Sequence, residues 1–243
     1  MSFLFLLRTS ALVVATVFIY LPALAQTDAS SDDFRLSLHA QGGYTSFSMN
    51  EATDFFRAVV GTYQAQGINI PVQQTYPGNG MVGGGVSLEA HGWSAGLHVR
   101  YARSEAAALY GDVGGTLDVT SETSVWIIES STGYIFRRSH RLQPFVEARA
   151  GSAMSRYSVE ERIRLSTGNN STEAFGRLDA RGRGFSMSGV GGVRYPLGPV
   201  YLRAEAGYRH AWVGTDDDDL PFNVGYSGPV ASFGVEVPVW TFR

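Results

Sequence analysis

The stretch YLRAEAGYR, at positions 201–209, decides the fold because it separates two kinds of side chain with a period of two. Its even positions are all apolar, whereas Arg203, Glu205 and Arg209 occupy odd positions. Such alternation is typical of a β-strand whose two faces meet different environments. A dry apolar core would not accept the charged face without a large desolvation cost, so this face needs opposite charges around it.

Similar alternation recurs in eight segments, joined by connections that are alternately short and long. The segments are approximately 34–48, 80–91, 93–104, 118–137, 141–158, 182–196, 199–213 and 228–242. The short connections are 91–92, 138–140 and 197–198, and the long ones are 49–79, 105–117, 159–181 and 214–227. This rhythm predicts an all-β fold: an eight-stranded antiparallel up-and-down transmembrane β-barrel with short periplasmic turns and long extracellular loops.

The charged face distinguishes a membrane barrel from a soluble lipocalin-like barrel, which has an apolar interior. Here the charged face balances five carboxylates against five guanidiniums, and the other face carries almost no charge. We therefore predict a lumenal charge network that fills the barrel as a structural plug; a gated, narrow conductance pathway is the alternative. The predicted network is Glu89, Arg100, Glu129, Glu147, Arg149, Arg194, Arg203, Glu205, Arg209 and Glu236.

The N-terminus resembles an export signal, with Arg8, an apolar run over 11–21 and the small residues Ala23 and Ala25. We expect a cleaved signal peptide at 1–25, a short polar segment at 26–33 and the barrel domain at 34–243. A permanent N-terminal anchor is the alternative. The whole chain has a net charge of −3, no cysteine and no lysine. The lack of cysteine excludes disulfides, and the charge balance argues against a nucleic-acid partner.

Catalytic, cofactor-binding and metal-binding residues are predicted to be absent. The five histidines show no His-x-Ser spacing of the kind found in barrel lipid A deacylases, although sequence order does not exclude a spatial triad, so a lipid-modifying enzyme is kept as an alternative. The run Asp216 to Asp219 could hold a divalent cation, but it lacks the spacing of a calcium loop and is interpreted as a solvated loop tip.

The first long connection is predicted to contain a short helix. Residues 48–51 resemble a capping box, Gly67 could end the helix, and an apolar stripe has helical spacing. That stripe could pack on the barrel rim or serve as a contact surface for a partner or the membrane interface. The Arg-rich 159–181 connection is interpreted as a mobile, exposed loop that could meet lipopolysaccharide. The stripe comprises Phe55, Phe56, Val59, Val60 and Tyr63.

The segment SFGVEVPV, at 232–239, resembles the last-strand signal that the barrel-assembly machinery recognises, although the chain continues through Trp240 to Arg243 rather than ending on an aromatic residue. As a whole, the chain resembles the small outer-membrane barrels that include the OmpA transmembrane domain, OmpX and the opacity proteins. The resemblance implies insertion from the periplasm, a monomer surrounded by outer-membrane lipid and lipopolysaccharide, and a non-enzymatic role in envelope structure or adhesion. A narrow solute channel is the main alternative.

Overall fold

The computed structural model describes residues 34–47, 49–74, 76, 79–112, 115–136, 141–167, 170–215 and 223–242. The expected signal peptide at 1–25 and the polar segment at 26–33 lie outside the described residues, and both stay predictions. Asp216 to Asp219 also lie outside them.

Eight long strands, two short strands and one helix account for most of the described chain. Among the described residues, no helix is long and apolar enough to cross a membrane. The elements are β1 Phe34–Thr45, α1 Asn50–Ala65, β2 Val72–Gln74, β3 Asn79–Ala90, β4 Trp93–Asp112, β5 Gly115–Ile135, β6 Gln143–Thr167, β7 Asn170–Leu197, β8 Val200–Thr215, β9 Asn223–Gly225 and β10 Gly228–Phe242.

The eight long strands close into a ring. Each long strand pairs antiparallel with the long strands that precede and follow it in the chain. β10 pairs with β8 on one side and with β1 on the other, which closes the ring. The closing ladder between β1 and β10 runs from Phe34–Phe242 to Thr45–Val230, with one irregularity at Leu36 and Ser37. Closure satisfies the backbone hydrogen bonds that an open sheet edge would leave unpaired in lipid. The predicted fold class is confirmed.

The short turns contain the backbone conformations that tight hairpins require. His91 (φ 54°) and Gly92 (φ 87°) both have positive φ, as in a type I′ turn between β3 and β4. Gly198 (φ 62°) begins the turn between β7 and β8, which occupies 198–199 rather than the predicted 197–198. The predicted turn at 138–140 lies outside the described residues.

The prediction of long loops at 105–117 and 159–181 is wrong, because strands continue through both segments. The β4–β5 ladder extends to Asp112–Gly115 and the β6–β7 ladder to Thr167–Asn170. Strand β6 has 25 residues, which is about 80 Å at roughly 3.3 Å per residue, far more than a membrane crossing needs. The hairpins β4–β5 and β6–β7 therefore project beyond the bilayer, with β2 and β9 pairing at the edges of this extension.

The error has a physical cause, which is a change in which face is apolar. On β4, Val99 and Tyr101 face outward from the membrane part of the barrel, whereas farther out the same parity carries Arg103 and Glu105. The inward positions become apolar there, as at Ala106 and Ala108, which are buried. Because the hydrophobic alternation changes phase at the membrane boundary, the sequence pattern looks like the end of a strand although backbone pairing continues.

An apolar belt covers the outer surface of the ring. Large apolar side chains are exposed on every long strand, including Leu38 at 51% and Trp212 at 51%. On β4, the outward series Leu97, Val99, Tyr101 is followed by Arg103 and Glu105. A continuous apolar band that ends in aromatic and then charged residues is the outer surface of a membrane barrel. The belt also includes Val82, Trp93, Trp126, Val146, Met187, Tyr195, Tyr208, Phe233 and Val237.

Arginine at Leu38 should destabilise the barrel because it places a charge on the lipid-facing surface. We expect L38R to lower the free energy of unfolding from vesicles by about 2–4 kcal/mol. The matched control is L109R, since Leu109 is also exposed but lies on the extension beyond Arg103. Urea titrations of the two variants in phosphatidylcholine vesicles test the position of the belt, and equal losses would contradict it.

Candidate functional site

All ten residues of the predicted charge network lie buried inside the ring. Near the ends of β1 and β10, the Arg194 guanidinium contacts Glu89, lies 3.1 Å from Glu236 and donates to Gln143 at 2.7 Å. The Tyr201 ring packs under the same guanidinium, with its centroid 4.8 Å from Cζ. This cluster balances one arginine against two carboxylates, so it depends on further positive charge above it.

That positive charge comes from β6 and β8. Arg203 contacts Glu147, lies 3.1 Å from Glu205 and reaches Glu236 at 3.8 Å, so it joins this middle cluster to the one around Arg194. Arg149 donates pairs of hydrogen bonds to Glu147 (3.0 and 3.2 Å) and to Glu205 (2.9 and 2.6 Å). Forked arginine–carboxylate bonds of this kind fix geometry as well as charge.

The third cluster completes the network toward the extracellular side. Arg100 donates to Glu129 at 2.5 Å and lies 3.5 Å from Glu205. Glu129 also accepts a hydrogen bond from Ser186 at 2.7 Å and lies 4.0 Å from Arg209. The ten side chains thus form one continuous, neutral network along the barrel axis.

A pair of histidines lies beside this network. His39 Nε2 is 3.0 Å from His98 Nδ1, and His98 Nε2 lies 2.8 Å from Ser131 and 2.7 Å from Glu147. Gly85 makes room for this pair, because a Cβ there would lie 2.7 Å from the His39 ring. Sequence reasoning placed His98 on the charged face but overlooked His39. Because Leu38 and Ala40 face outward, the alternation of the strand turns His39 inward, and this pattern could have identified it.

His98 does not have the geometry of a catalytic triad. A Ser-His-Glu triad uses one ring nitrogen for the nucleophile and the other for the carboxylate. Here Ser131 and Glu147 both approach Nε2, while His39 occupies Nδ1. Ser131 is also buried, with 7% exposure.

The structure does bring a serine to His210, which the sequence did not predict. Ser227 Oγ lies 2.8 Å from His210 Nδ1 and 3.1 Å from the Ala211 backbone nitrogen. The Trp212 ring packs edge-on against His210, with centroids 3.8 Å apart. Ser227 and His210 are 17 positions apart in the chain, so a short sequence motif does not reveal their contact. Among the described residues, no group of three or more His, Asp or Glu could hold a metal ion.

Above the charge network, the interior becomes apolar. The buried side chains there come from β3 to β8, from α1 and from the segments around β2 and β9. Hydroxyl contacts lie within this core: Tyr76 contacts Ser121 and donates to Tyr157 at 3.1 Å, and Tyr226 lies 2.5 Å from Thr123. The core comprises Met49, Ala52, Phe56, Val60, Ile70, Tyr76, Met81, Ala102, Ala106, Ala108, Leu117, Val119, Val125, Ile127, Ala153, Tyr157, Val159, Ala180, Ala211, Val213 and Tyr226.

Helix α1 belongs to this core and packs against the barrel opening. Ala52, Phe56 and Val60 are buried along one face, which confirms the helix and favours the rim-packing interpretation of its apolar stripe. Met49 is the N-cap residue, and its side chain makes no capping hydrogen bond; Ser48 of the predicted capping box lies outside the described residues, so the capping box stays a prediction. Gly67, with φ 87°, follows the C-cap residue as predicted.

A polar bond fixes the far end of the helix. Tyr63 donates its phenol hydrogen to Glu161 at 2.8 Å. Burial, and then the hydrogen bond to Glu161, raise the pKa of Tyr63 to about 12. The phenol therefore stays protonated at physiological pH and keeps donating this bond. The helix is held on its apolar face and at its C-terminal end.

Loss of Glu129 should destabilise the barrel because it leaves buried positive charge uncompensated. We expect E129A to lower the free energy of unfolding by about 3–5 kcal/mol, as for one partner of a buried ion pair. Combining it with R100A should cost less than the sum of the two single changes. The control is E122Q, which removes an exposed partner of Arg103 and should cost less than about 1 kcal/mol. Additive losses in urea titrations would contradict the coupling.

No protein-family model and no curated protein matches this chain. Solved structures are similar over most of its length. Neisserial surface protein A is 14% identical with a TM-score of 0.37, covering 87% of this chain and 99% of that one. Ail, the attachment invasion locus protein of Yersinia pestis, is 10% identical with a TM-score of 0.33, covering 88% and 100%. OprG from Pseudomonas aeruginosa is 11% identical with a TM-score of 0.35, covering 88% and 97%.

At these identities the likeness extends no further than barrel architecture. The assignment to a membrane rests on the protein's own structure, which combines a closed ring of antiparallel strands, an apolar outer belt and a charged interior. A soluble barrel would have the opposite polarity at the level of the belt. The chain is an integral β-barrel of the bacterial outer membrane.

Proposed function

We propose that the protein is a non-enzymatic envelope component: a closed barrel that contributes to outer-membrane structure and displays an extracellular β-extension for adhesion or interaction. The observation that carries this proposal is the double closure of the interior. The charge network fills the membrane level, and the apolar core with α1 fills the level above it.

The two layers close the interior by different interactions. An eight-stranded ring is just wide enough for side chains to fill it, and conduction would require separating ion pairs such as those of Arg149 with Glu147 and Glu205, each held by two hydrogen bonds. Above them, Phe56 and Val60 enter the core with 0% and 2% exposure, so water would have to displace a packed apolar helix. A narrow channel would need both changes together.

Planar bilayers containing the refolded mature protein should therefore stay electrically silent. The matched variants are F56A with V60A, which loosen the extracellular layer, and E129A, which loosens the network. We expect neither set alone to give discrete conductance steps, because the other layer remains. Reproducible steps from the unmodified protein would contradict the closed barrel and favour the narrow channel.

The absence of catalysis is also a proposal. His98 has its two nitrogens committed as described, and Ser227 is 7% exposed, with its hydroxyl engaged by the Ala211 backbone. We interpret the Ser227–His210 pair as a structural contact that fixes the chain between β9 and β10. Within the described part of the chain, it is nevertheless the arrangement that comes nearest to a nucleophile with its base.

Expression of the protein should leave the mass spectrum of cellular lipid A unchanged. The comparison strains carry the empty vector and the variant S227A, which keeps the barrel but removes the hydroxyl. A mass change that S227A abolishes would overturn the non-enzymatic proposal and identify His210 and Ser227 as the reacting pair. Identical spectra from all three strains are the expected result.

We also propose that the barrel is a monomer, inserted by the barrel-assembly machinery. In support, β10 closes the ring against β1 and exposes a regular apolar row to lipid: Phe233, Val235, Val237 and Val239. This row contains the outward apolar positions of the last-strand signal. Outer-membrane lipid and lipopolysaccharide are the remaining proposed partners, since they surround the belt and the base of the extension.

A further inference from the structure

Three arginines lie together on the outer surface where the apolar belt ends on β6 and β7. Arg156 on β6 is directly opposite Arg181 on β7, and Arg183 is the next outward residue along β7. All three side chains are exposed. Like charges placed directly opposite each other destabilise an antiparallel strand pair. A negatively charged ligand would relieve this repulsion.

The neighbouring carboxylate Asp179 compensates the charge of Arg156 and Arg181 only in part. It lies 3.2 Å from Arg156, but it also bonds Arg177 at 2.8 Å. The hydrogen bonds from Arg177 and Arg156 hold the pKa of Asp179 below its ordinary value, so it stays ionised while it is shared between the two guanidiniums. One shared carboxylate does not neutralise the opposed pair Arg156 and Arg181.

The position of the cluster identifies the class of anion. Arg183 lies opposite Met154, and the row below places Phe185 against Trp212. Tryptophan side chains prefer the membrane–water interface, so the arginines lie at the depth of the outer-leaflet headgroups. Below them, an open groove of about 490 Å³ passes Ala150, Met187 and Tyr208 on the lipid-facing surface. An anion with acyl chains below it fits both features.

We propose that Arg156, Arg181 and Arg183 form a binding site for a phosphate of lipid A, the lipid portion of lipopolysaccharide, with an acyl chain in the groove below. Guanidinium groups bind phosphate through paired, charge-assisted hydrogen bonds, and two arginines on adjacent strands can grip one phosphate from two sides. The site rests on the proposed function only in requiring the barrel to lie in the outer membrane.

Binding is measured by native mass spectrometry on the refolded mature protein in phosphatidylcholine nanodiscs, titrated with bisphosphorylated lipid A. We expect R156Q with R181Q to weaken binding by at least about tenfold, as for the loss of two charge-assisted contacts. The matched control is R162Q with R164Q, which removes the same charge from the outer part of β6 and should leave binding unchanged. Equal binding by the two double variants would overturn the site.

The stability of the barrel gives a second readout. If Arg181 had a purely structural role, R181Q would shift the urea midpoint in the same direction with and without lipid A. In phosphatidylcholine alone, R181Q should raise the urea midpoint of unfolding because it removes a like-charge contact. With lipid A present, the same variant should lower the midpoint relative to the unmodified protein because it loses the ligand. A shift in the same direction in both membranes would contradict the proposal.

Two competitors identify the source of the phosphate. Dephosphorylated lipid A should not compete, and phosphatidylglycerol should compete at least about tenfold more weakly, since it offers one phosphodiester charge to a site with three arginines. Equal competition by phosphatidylglycerol would overturn lipid A as the ligand and leave a general anionic-lipid surface. These outcomes are separate from the closed-barrel proposal, because bilayer conductance tests that independently.

Discussion

Five arginines and five glutamates share the narrow interior of the barrel at the depth of the membrane, and the rest of the structure depends on their mutual neutralisation. None of them could remain in this position alone, because a single buried charge carries a desolvation penalty of several kcal/mol. Their partners come from different strands: Arg194 on β7 meets Glu89 on β3 and Glu236 on β10. The network therefore favours one register and one closure of the ring, since a slip by one residue would turn every charge toward lipid.

The polarity of the barrel reverses along its axis. At the membrane level the charged groups lie inside and the apolar groups outside; on the extension, Leu117 and Val119 lie inside and Asp118 lies outside. Each arrangement suits its solvent, because lipid surrounds the first part and water the second. The reversal lets one set of strands serve as a membrane anchor below and as the wall of an ordinary apolar core above. Helix α1 completes that core by burying Phe56.

Much of this architecture could be predicted from local pattern. The ring of eight strands, the parity that places Arg100 and Glu129 inside, and the helix near Phe56 all follow from periodicity in the sequence. The extension was missed for a specific reason: on β4 the phase of alternation changes between Tyr101 and Arg103, so a search for outward apolar residues ends where the lipid ends. Backbone pairing does not depend on that phase, and it continues to Asp112. His39 was overlooked although its position between the outward residues Leu38 and Ala40 places it inside, whereas its contact with His98 on β4 required the folded ring.

The sequence by itself determined the number of long strands, their membrane-facing side and the neutral charge composition of the lumen, because these depend on which residues alternate within one strand. Tertiary structure alone decided which arginine meets which glutamate, that Ser227 lies against His210, and that Arg156 lies opposite Arg181. Those contacts depend on the register between strands far apart in the chain and on ring closure. No local pattern encodes a distance across the barrel, so only the folded ring reveals which side chains meet.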